Sequence, residues 1–241
     1  MAEVTGLGMT DAAGVAPMKK SLVKNPLFAR YFNRFAARRE ERGNRELRQE
    51  LLSGLSGRVI EVGAGNGLNF PHYPRAVREV VAVEPEPYLR DRAAEAAAAV
   101  PIRVTDGTAG DLPVADGEFD AVVVSGLLCS VPDAPAALAE FRRVLRPGGQ
   151  LRFYEHVRSR DAIFARYQRA ADLIWPRLMG GCHVERRTQS AIGRVFTLER
   201  CRGFRFPPSA AFSPVAPRII GVARKAETRG GRLSGGRPAA R

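Results

Sequence analysis

Residues 58–67 read RVIEVGAGNG, a short β-branched run followed at once by Gly63, Gly65 and Gly67. The run predicts a buried strand, and the glycines let the backbone turn sharply and approach a ligand without a Cβ in the way. Ligands of parallel sheets bind beyond the carboxyl ends of the strands, so the stretch predicts a strand followed by a binding loop. The spacing is GxGxG, with Leu68 where the dinucleotide pattern GxGxxG has its last glycine, which disfavours a pyrophosphate site.

Strand and helix patterns alternate after this loop. Further strands are predicted at 80–84, 102–104, 120–125 and 151–155, and helices between them at 87–99 and 134–145. The alternation predicts an α/β fold: a Rossmann-like doubly wound sheet, mostly parallel, with helices on both faces. Runs at 196–204 and 215–223 predict an antiparallel pair that closes the sheet. Helical patterns at about 27–52 and 161–179 complete the prediction.

The length of 241 residues suits one such domain, which we predict over 23–225 with an N-terminal helical lid. Residues 1–22 and 226–241 have little apolar surface to bury and are predicted to be disordered, the second as a basic tail rich in glycine and arginine.

The formal net charge of +13 raises the question of a nucleic-acid partner. Residues 51–150, which hold the glycine loop, carry 9 basic and 13 acidic side chains, so the positive charge lies on the flanks. The sequence has no recognisable RNA-binding module. An RNA-binding protein is therefore a hypothesis of a different class, and we expect no nucleic acid as partner.

The chain has no stretch of the roughly 18 apolar residues that a membrane span needs, and its N-terminus has no secretory pattern. We expect a cytoplasmic protein, with peripheral membrane contact through basic helices left open. The three cysteines, Cys129, Cys182 and Cys201, are odd in number and lack CxxC spacing, which argues against a disulfide scaffold and a structural zinc site. We expect no metal.

Four blocks resemble the class I S-adenosylmethionine-dependent methyltransferases in order and spacing. They are EVGAGNG at 61–67, VVAVEP at 80–85, GTAGDLPVADGEFDAVVV at 107–124 and FRRVLRPGG at 141–149. Within that family, NFPHYP, LLCSV, FYEHV and GGCH resemble a narrower group, which is similar to the mammalian microsomal thiol S-methyltransferase-like proteins and their bacterial relatives. The likeness extends from about residue 28 to residue 225.

The resemblance implies a binding site for S-adenosyl-L-methionine. The methionine end of the cofactor would lie against the glycine loop, the ribose against an acid that ends the second strand, the adenine between two loops, and the sulfonium above the fourth strand. The residues implied, in that order, are Glu61, Gly63, Ala64, Gly65 and Gly67; Glu84; Pro85, Thr108 and Ala109; Ser125 and Gly126. Relatives often carry an acid at position 108 or 110, so the partner of the adenine amino group stays open between Thr108, Asp111 and the backbone.

Methyl transfer from a sulfonium is an in-line displacement, so the protein must chiefly align the reactants and exclude water. A thiol has an ordinary pKa of about 8.5, so one neighbouring imidazole or guanidinium is enough to favour the thiolate at neutral pH. His156 and His183 lie on segments that overhang the methyl group in the family, and Glu155 is placed to orient His156 or to end its strand. We take these three as the catalytic candidates.

An apolar cover is predicted from Tyr31, Phe32 and Phe35 on the first helix, with Trp175 and Met179 from a later one. Such a cover favours a small lipophilic acceptor. The hypothesis is a methyltransferase whose acceptor is a thiol sulfur. The alternative is methylation of carbon or nitrogen on a quinone or a phospholipid head group.

Overall fold

The computed structural model describes residues 26–39 and 43–227. The ends predicted to be disordered, 1–22 and all but the first two residues of 226–241, lie outside the described residues, and the single-domain boundaries stay a prediction. Within the described ranges, none of the helices has the length and hydropathy that crossing a membrane requires.

Seven strands form one sheet in the order β3-β2-β1-β4-β5-β7-β6. The strands are β1 (Gly57–Val62), β2 (Val77–Val83), β3 (Ile102–Thr105), β4 (Phe119–Ser125), β5 (Leu145–His156), β6 (Thr197–Arg205) and β7 (Pro217–Arg224). The first five are parallel, and β7 runs antiparallel to both β5 and β6. The predicted doubly wound sheet with an antiparallel closing pair is confirmed.

The described helices are α1 (Pro26–Arg39), α2 (Arg45–Leu52), α3 (Pro87–Ala94), α4 (Ala134–Val144), α5 (Ala162–Ala171), α6 (Trp175–Leu178) and α7 (Thr188–Val195). Side chains cap three of them: Glu86, Asp133 and Asp161 each accept a hydrogen bond from the backbone N–H three residues on. Helix α3 begins at Pro87 and helix α4 at Ala134, directly after its cap Asp133, as predicted.

Four element predictions were wrong in their extent. The pattern over 27–52 is divided into α1 and α2, with Gly43 before α2 at a φ of +97°. The pattern over 161–179 is divided into α5 and α6 because Pro176 cannot donate a helical hydrogen bond and its ring clashes with the preceding turn. Helix α3 ends at Ala94 rather than 99. Strand β5 begins at Leu145 rather than 151, because Leu145 pairs with Phe119 of β4.

The sheet separates two apolar layers. On one face Val122 and Val124 of β4 pack with Phe141 of α4, and on the other Val123 packs with Leu51 of α2. Alternate residues of a strand point to opposite faces, which is why one run of valines serves both layers. The buried sheet fixes the carboxyl ends of β1, β2, β4 and β5 at one edge, and the strand order reverses between β1 and β4, where ligands of such sheets bind.

Candidate active site

The glycine loop follows β1 directly. Gly63, Gly65 and Gly67 have φ angles of +72°, +58° and +80°, a left-handed region that favours glycine. The N–H of Gly63 donates to the carbonyl of Val83 at 2.8 Å, which holds the loop against the end of β2. A Cβ on Gly63 would lie 2.7 Å from the side chain of Leu127 in the loop after β4. The glycine loop therefore meets the β4 loop at this edge of the sheet with no room for a side chain.

Glu84 stands one residue beyond β2 and is buried. Its Oε2 accepts from the N–H of Gly65 at 2.8 Å, and its Oε1 accepts from the N–H of Glu86 at 3.0 Å. Burial raises the pKa of Glu84, while the two backbone donors oppose that change. An ionised carboxylate has about four acceptor positions, of which these bonds use two. The acid is thus fixed beside the glycine loop with capacity for hydroxyl donors, which fits the ribose of the implied nucleoside.

Glu61 lies in a buried hydrogen-bond network beneath the loop. Its Oε1 accepts from Asn69 at 2.8 Å and its Oε2 accepts from the Tyr73 hydroxyl at 2.7 Å. Arg48 of α2 donates to Oδ1 of Asn69 at 2.8 Å. Burial raises the pKa of Glu61 to about 7. The carboxylate supports the loop from below, and its contact with the methionine end of the cofactor stays a prediction.

The residues predicted to bracket the adenine lie after β2 and β3. Pro85 follows Glu84, and its carbonyl accepts from Arg90 of α3 at 3.3 Å. Thr108 and Asp111 face each other across a single bridge, in which the N–H of Asp111 donates to the carbonyl of Thr108 at 3.1 Å. Ala109, between them, is buried. Both side chains left open as partners of the adenine amino group therefore belong to one tight turn.

Ser125 and Gly126 end β4 next to β5. Ser125 pairs with Tyr154, whose carbonyl accepts from the N–H of Gly126 at 2.7 Å. Gly126 has a φ of +67° and nothing within 4 Å of a Cβ built on it, so its surroundings are open. The contact with the cofactor sulfur predicted for Ser125 and Gly126 stays a prediction.

Glu155 is buried and binds the β4 loop. Its carboxylate accepts from the backbone N–H groups of Leu127 and Leu128, each at 2.9 Å, and from that of Cys129 at 3.2 Å. Burial raises its pKa well above the usual range, and the three backbone donors oppose this. The hydrogen bonds of Glu155 thus place the loop after β4, and the role predicted for it toward His156 stays a prediction.

His156, the last residue of β5, lies against two cysteines. Its Nδ1 is 3.4 Å from Sγ of Cys129 and 3.5 Å from Sγ of Cys182. Both cysteines are buried, and the histidine is half-buried. No spacing pattern predicted this cluster, because the two cysteines lie 26 and 27 positions from His156 on other segments of the chain. The one available signal was the family resemblance, which placed the segments carrying His156 and the GGCH motif over the methyl group.

His183 lies beside this cluster without joining it. Its backbone N–H donates to the carbonyl of Cys129 at 2.8 Å, whereas its Nδ1 is 2.8 Å from Oδ2 of Asp172. The His183 side chain is 43% exposed, so this pair stands at the surface of the site. The Asp172 carboxylate next to Nδ1 orients the imidazole ring.

The surroundings of the two buried cysteines are apolar. Val184 is buried with them, and Trp175 and Met179 pack against the group. Tyr31, predicted to belong to the same cover, is 44% exposed. The side chains of Phe32 and Phe35 lie outside the described ones, so the N-terminal part of the predicted lid stays a prediction.

A seven-stranded sheet with β7 antiparallel to its neighbours, a glycine loop after β1 and a buried acid after β2 define the class I S-adenosylmethionine-dependent methyltransferases. The chain belongs to this family and is an S-adenosylmethionine-dependent methyltransferase. A profile described as a methyltransferase domain matches residues 60–153.

Relatives extend the match over most of the chain. Human thiol S-methyltransferase TMT1B is 35% identical over 198 residues, covering 78% of this chain and 80% of its own. Human thiol S-methyltransferase TMT1A is 34% identical over 183 residues, covering 72% of this chain and 74% of its own. A structure of geranyl diphosphate methyltransferase in complex with S-adenosylmethionine has a TM-score of 0.59 at 14% identity, covering 81% of this chain and 90% of that one. The last likeness shows the fold.

Proposed function

We propose that this methyltransferase transfers the methyl group to the sulfur of a small lipophilic thiol. The observation that carries the proposal is the similarity, over more than two thirds of the chain, to two thiol S-methyltransferases. The half-buried imidazole of His156 at the carboxyl edge of the sheet supports it, because one such neighbour is enough to favour the thiolate of a thiol at neutral pH.

The cofactor would be held by the residues at the ends of β1, β2 and β4. Glu84 would accept from the ribose hydroxyls, and the glycine loop would pass close to the methionine end with Gly63, Ala64, Gly65 and Gly67. Pro85, Thr108 and Ala109 would border the adenine, with Ser125 and Gly126 next to the sulfur. S-adenosylmethionine, when bound, supplies an activated methyl group. The task of the chain's own residues is then to align the acceptor sulfur and exclude water.

The apolar packing around His156 supports a lipophilic acceptor. Trp175 and Met179 pack on the side of the cluster that holds Cys129 and Cys182. A water-excluding surface of this kind strengthens the electrostatic interactions of the imidazole with a thiolate. An acceptor with a short apolar body therefore fits this side of the site better than a strongly charged one.

His156 is the proposed acceptor-side group, and His183 is the second candidate. His156 lies at the end of β5, and Sγ of Cys129 is 3.4 Å from both its Nδ1 and the carbonyl oxygen of Gly126. His183 carries the orienting carboxylate of Asp172 that general bases use, but its imidazole is nearly half exposed. Glu155 acts as a positioning residue, because its carboxylate fixes the loop that carries Cys129.

The assignment is tested with a panel of acceptors. The protein and S-adenosylmethionine are incubated with an alkyl thiol, a hydroxyquinone and an ethanolamine lipid, and the methylated products are identified by mass spectrometry. We expect the methyl thioether from the alkyl thiol. Methylation of only the quinone or the lipid would move the acceptor to carbon or nitrogen and overturn the thiol assignment.

A further inference from the structure

Three metal-ligating atoms meet at the carboxyl edge of the sheet. Sγ of Cys129, Nδ1 of His156 and Sγ of Cys182 all lie within 4.8 Å of one another. They come from the loop after β4, the end of β5 and the segment after α6. Two thiolates and an imidazole are ligands that zinc prefers. We propose that these three residues bind a Zn²⁺ ion.

The distances suit this ion without rearrangement of the backbone. Tetrahedral zinc has bonds of about 2.3 Å to sulfur and about 2.0–2.1 Å to nitrogen, which puts ligand atoms roughly 3.5–3.8 Å apart. The two sulfurs lie 3.4 Å and 3.5 Å from Nδ1 of His156. Small changes of side-chain torsion would therefore bring all three atoms to bonding distance of one centre.

Backbone contacts hold the three segments in place. Glu155 accepts from the N–H of Cys129, and the carbonyl of Cys129 accepts from the N–H of His183 at 2.8 Å. The N–H of Cys182 donates to the carbonyl of Met179 at 3.1 Å. Gly181 has a φ of +81°, and a Cβ on it would lie 3.1 Å from the carbonyl oxygen of Ser130. Fixed ligand segments of this kind reduce the entropy that metal binding costs.

The charges also favour a zinc ion here. Two thiolates neutralise Zn²⁺, so the bound group would carry no net charge in the apolar surroundings of Val184, Trp175 and Met179. Binding requires that the two thiols release their protons to solvent, and no electron is transferred. An oxidised pair, with a disulfide between Cys129 and Cys182, is the competing state and could not bind the ion.

Three protein ligands leave a fourth position, as in catalytic zinc sites. This part of the inference rests on the proposed function: the acceptor thiol would occupy that position. The thiol proton then passes to solvent, the zinc-held sulfur forms a bond to the methyl carbon, and the bond from that carbon to the sulfonium breaks. In this arrangement His156 holds the ion rather than taking the proton itself.

Metal content tests the site directly. Full-length protein is reconstituted with Zn²⁺ under reducing conditions, and bound zinc is measured by mass spectrometry of the metal. We expect about one ion per chain for the wild type and for the control Cys201→Ser, whose thiol lies on β6 away from the cluster. We expect strong loss of bound zinc in Cys129→Ser and Cys182→Ser. Equal zinc in all four proteins would overturn the proposal.

Cobalt substitution of the unaltered protein avoids any dependence on the folding of a variant. Bound Co²⁺ should give thiolate-to-metal charge-transfer absorption, together with the visible bands of tetrahedral coordination. Absence of both from reduced protein, or a Cys129–Cys182 disulfide under those conditions, would overturn the zinc site. The spectrum does not depend on catalysis, so the two proposals fail separately. Zinc binding without thiol methylation would overturn the thiol as acceptor and keep the zinc site. Thiol methylation without zinc binding would overturn the zinc site, and a histidine would then act as the base.

Discussion

The backbone N–H of Gly65 donates a 2.8 Å hydrogen bond to Oε2 of Glu84, and this bond joins the loop after β1 to the acid after β2. The two segments follow neighbouring parallel strands, and the bond joins them into one unit. In the proposed site this unit would bind the methionine end and the ribose of the cofactor. The glycine loop and the acid are therefore expected to affect cofactor binding together.

Replacing Glu84 with Gln should weaken binding of S-adenosylmethionine. Hydrogen bonds to charged groups contribute roughly 1.5–3 kcal/mol, which corresponds to about a 10- to 100-fold change in the dissociation constant. Isothermal titration calorimetry measures this change. Glu79→Gln, on β2 itself and with a side chain 41% exposed, is the matched control and should keep wild-type affinity. Unchanged affinity in Glu84→Gln would exclude a ribose contact.

Gly63→Ala should lower both stability and cofactor affinity. The residue has a φ of +72°, and its new Cβ would meet Leu127 at 2.7 Å, so steric overlap adds to backbone strain. Gly54→Ala has a similar φ of +74° with nothing within 4 Å, and so carries the strain alone, roughly 1–2 kcal/mol. Urea unfolding should give a lower free energy of unfolding for Gly63→Ala than for Gly54→Ala. Calorimetry should give a lower affinity for S-adenosylmethionine. Equal behaviour would show that the contact with Leu127 has no energetic role.

His156→Asn should lower turnover of a thiol acceptor by roughly 10²- to 10⁴-fold while leaving cofactor affinity unchanged. The imidazole lies at the end of β5 among the cysteines and makes none of the hydrogen bonds of the glycine loop. His183→Asn is the paired variant, because its imidazole binds Asp172 instead. Steady-state kinetics and calorimetry on both proteins separate the roles. A larger loss in His183→Asn would transfer the acceptor-side role to the His183–Asp172 pair.

The stability of the protein should fall as pH rises from about 4.5 to about 7, in part because of Glu61. Its folded-state pKa is raised to about 7 by burial, so the folded protein binds more protons than the unfolded chain in that window. Glu61→Gln should reduce the slope of the free energy of unfolding against pH, measured by urea unfolding at several pH values. Some slope should persist, because burial also raises the pKa of Glu84 and of Glu155. An unaltered slope would contradict the raised pKa of the buried Glu61 carboxyl.

Gly221→Ala should destabilise the closing strand. A Cβ there would lie 2.3 Å from the carbonyl oxygen of Arg200 and 2.6 Å from the ring of Phe153, so β5, β7 and β6 could not keep their spacing. Overpacking of this kind costs about 1–3 kcal/mol. Gly203→Ala, whose nearest neighbour is 3.9 Å away, should be close to wild type. Thermal unfolding compares the two, and equal midpoints would argue against the tight packing at β7.

The sequence by itself determined the sheet, the glycine loop and the acid after β2. These features are local: a strand run at 58–62 is buried on both faces, and the residues just after it need positive φ angles that glycine adopts. The antiparallel pair was also predictable from its two alternating runs. Helix ends were less predictable from the sequence. The division of 161–179 depends on Pro176, and Gly43, just before α2, has a positive φ.

Only the tertiary structure decided which side chains meet at the site. Glu61 binds Asn69 and Tyr73, and Glu155 binds the loop that carries Cys129. The meeting of Cys129, His156 and Cys182 follows from the order of β4 and β5 in the sheet and from the path of the chain after α6. Contacts between residues so far apart in sequence leave no periodic signal, because they arise only when the packed sheet brings separate loops to the same edge.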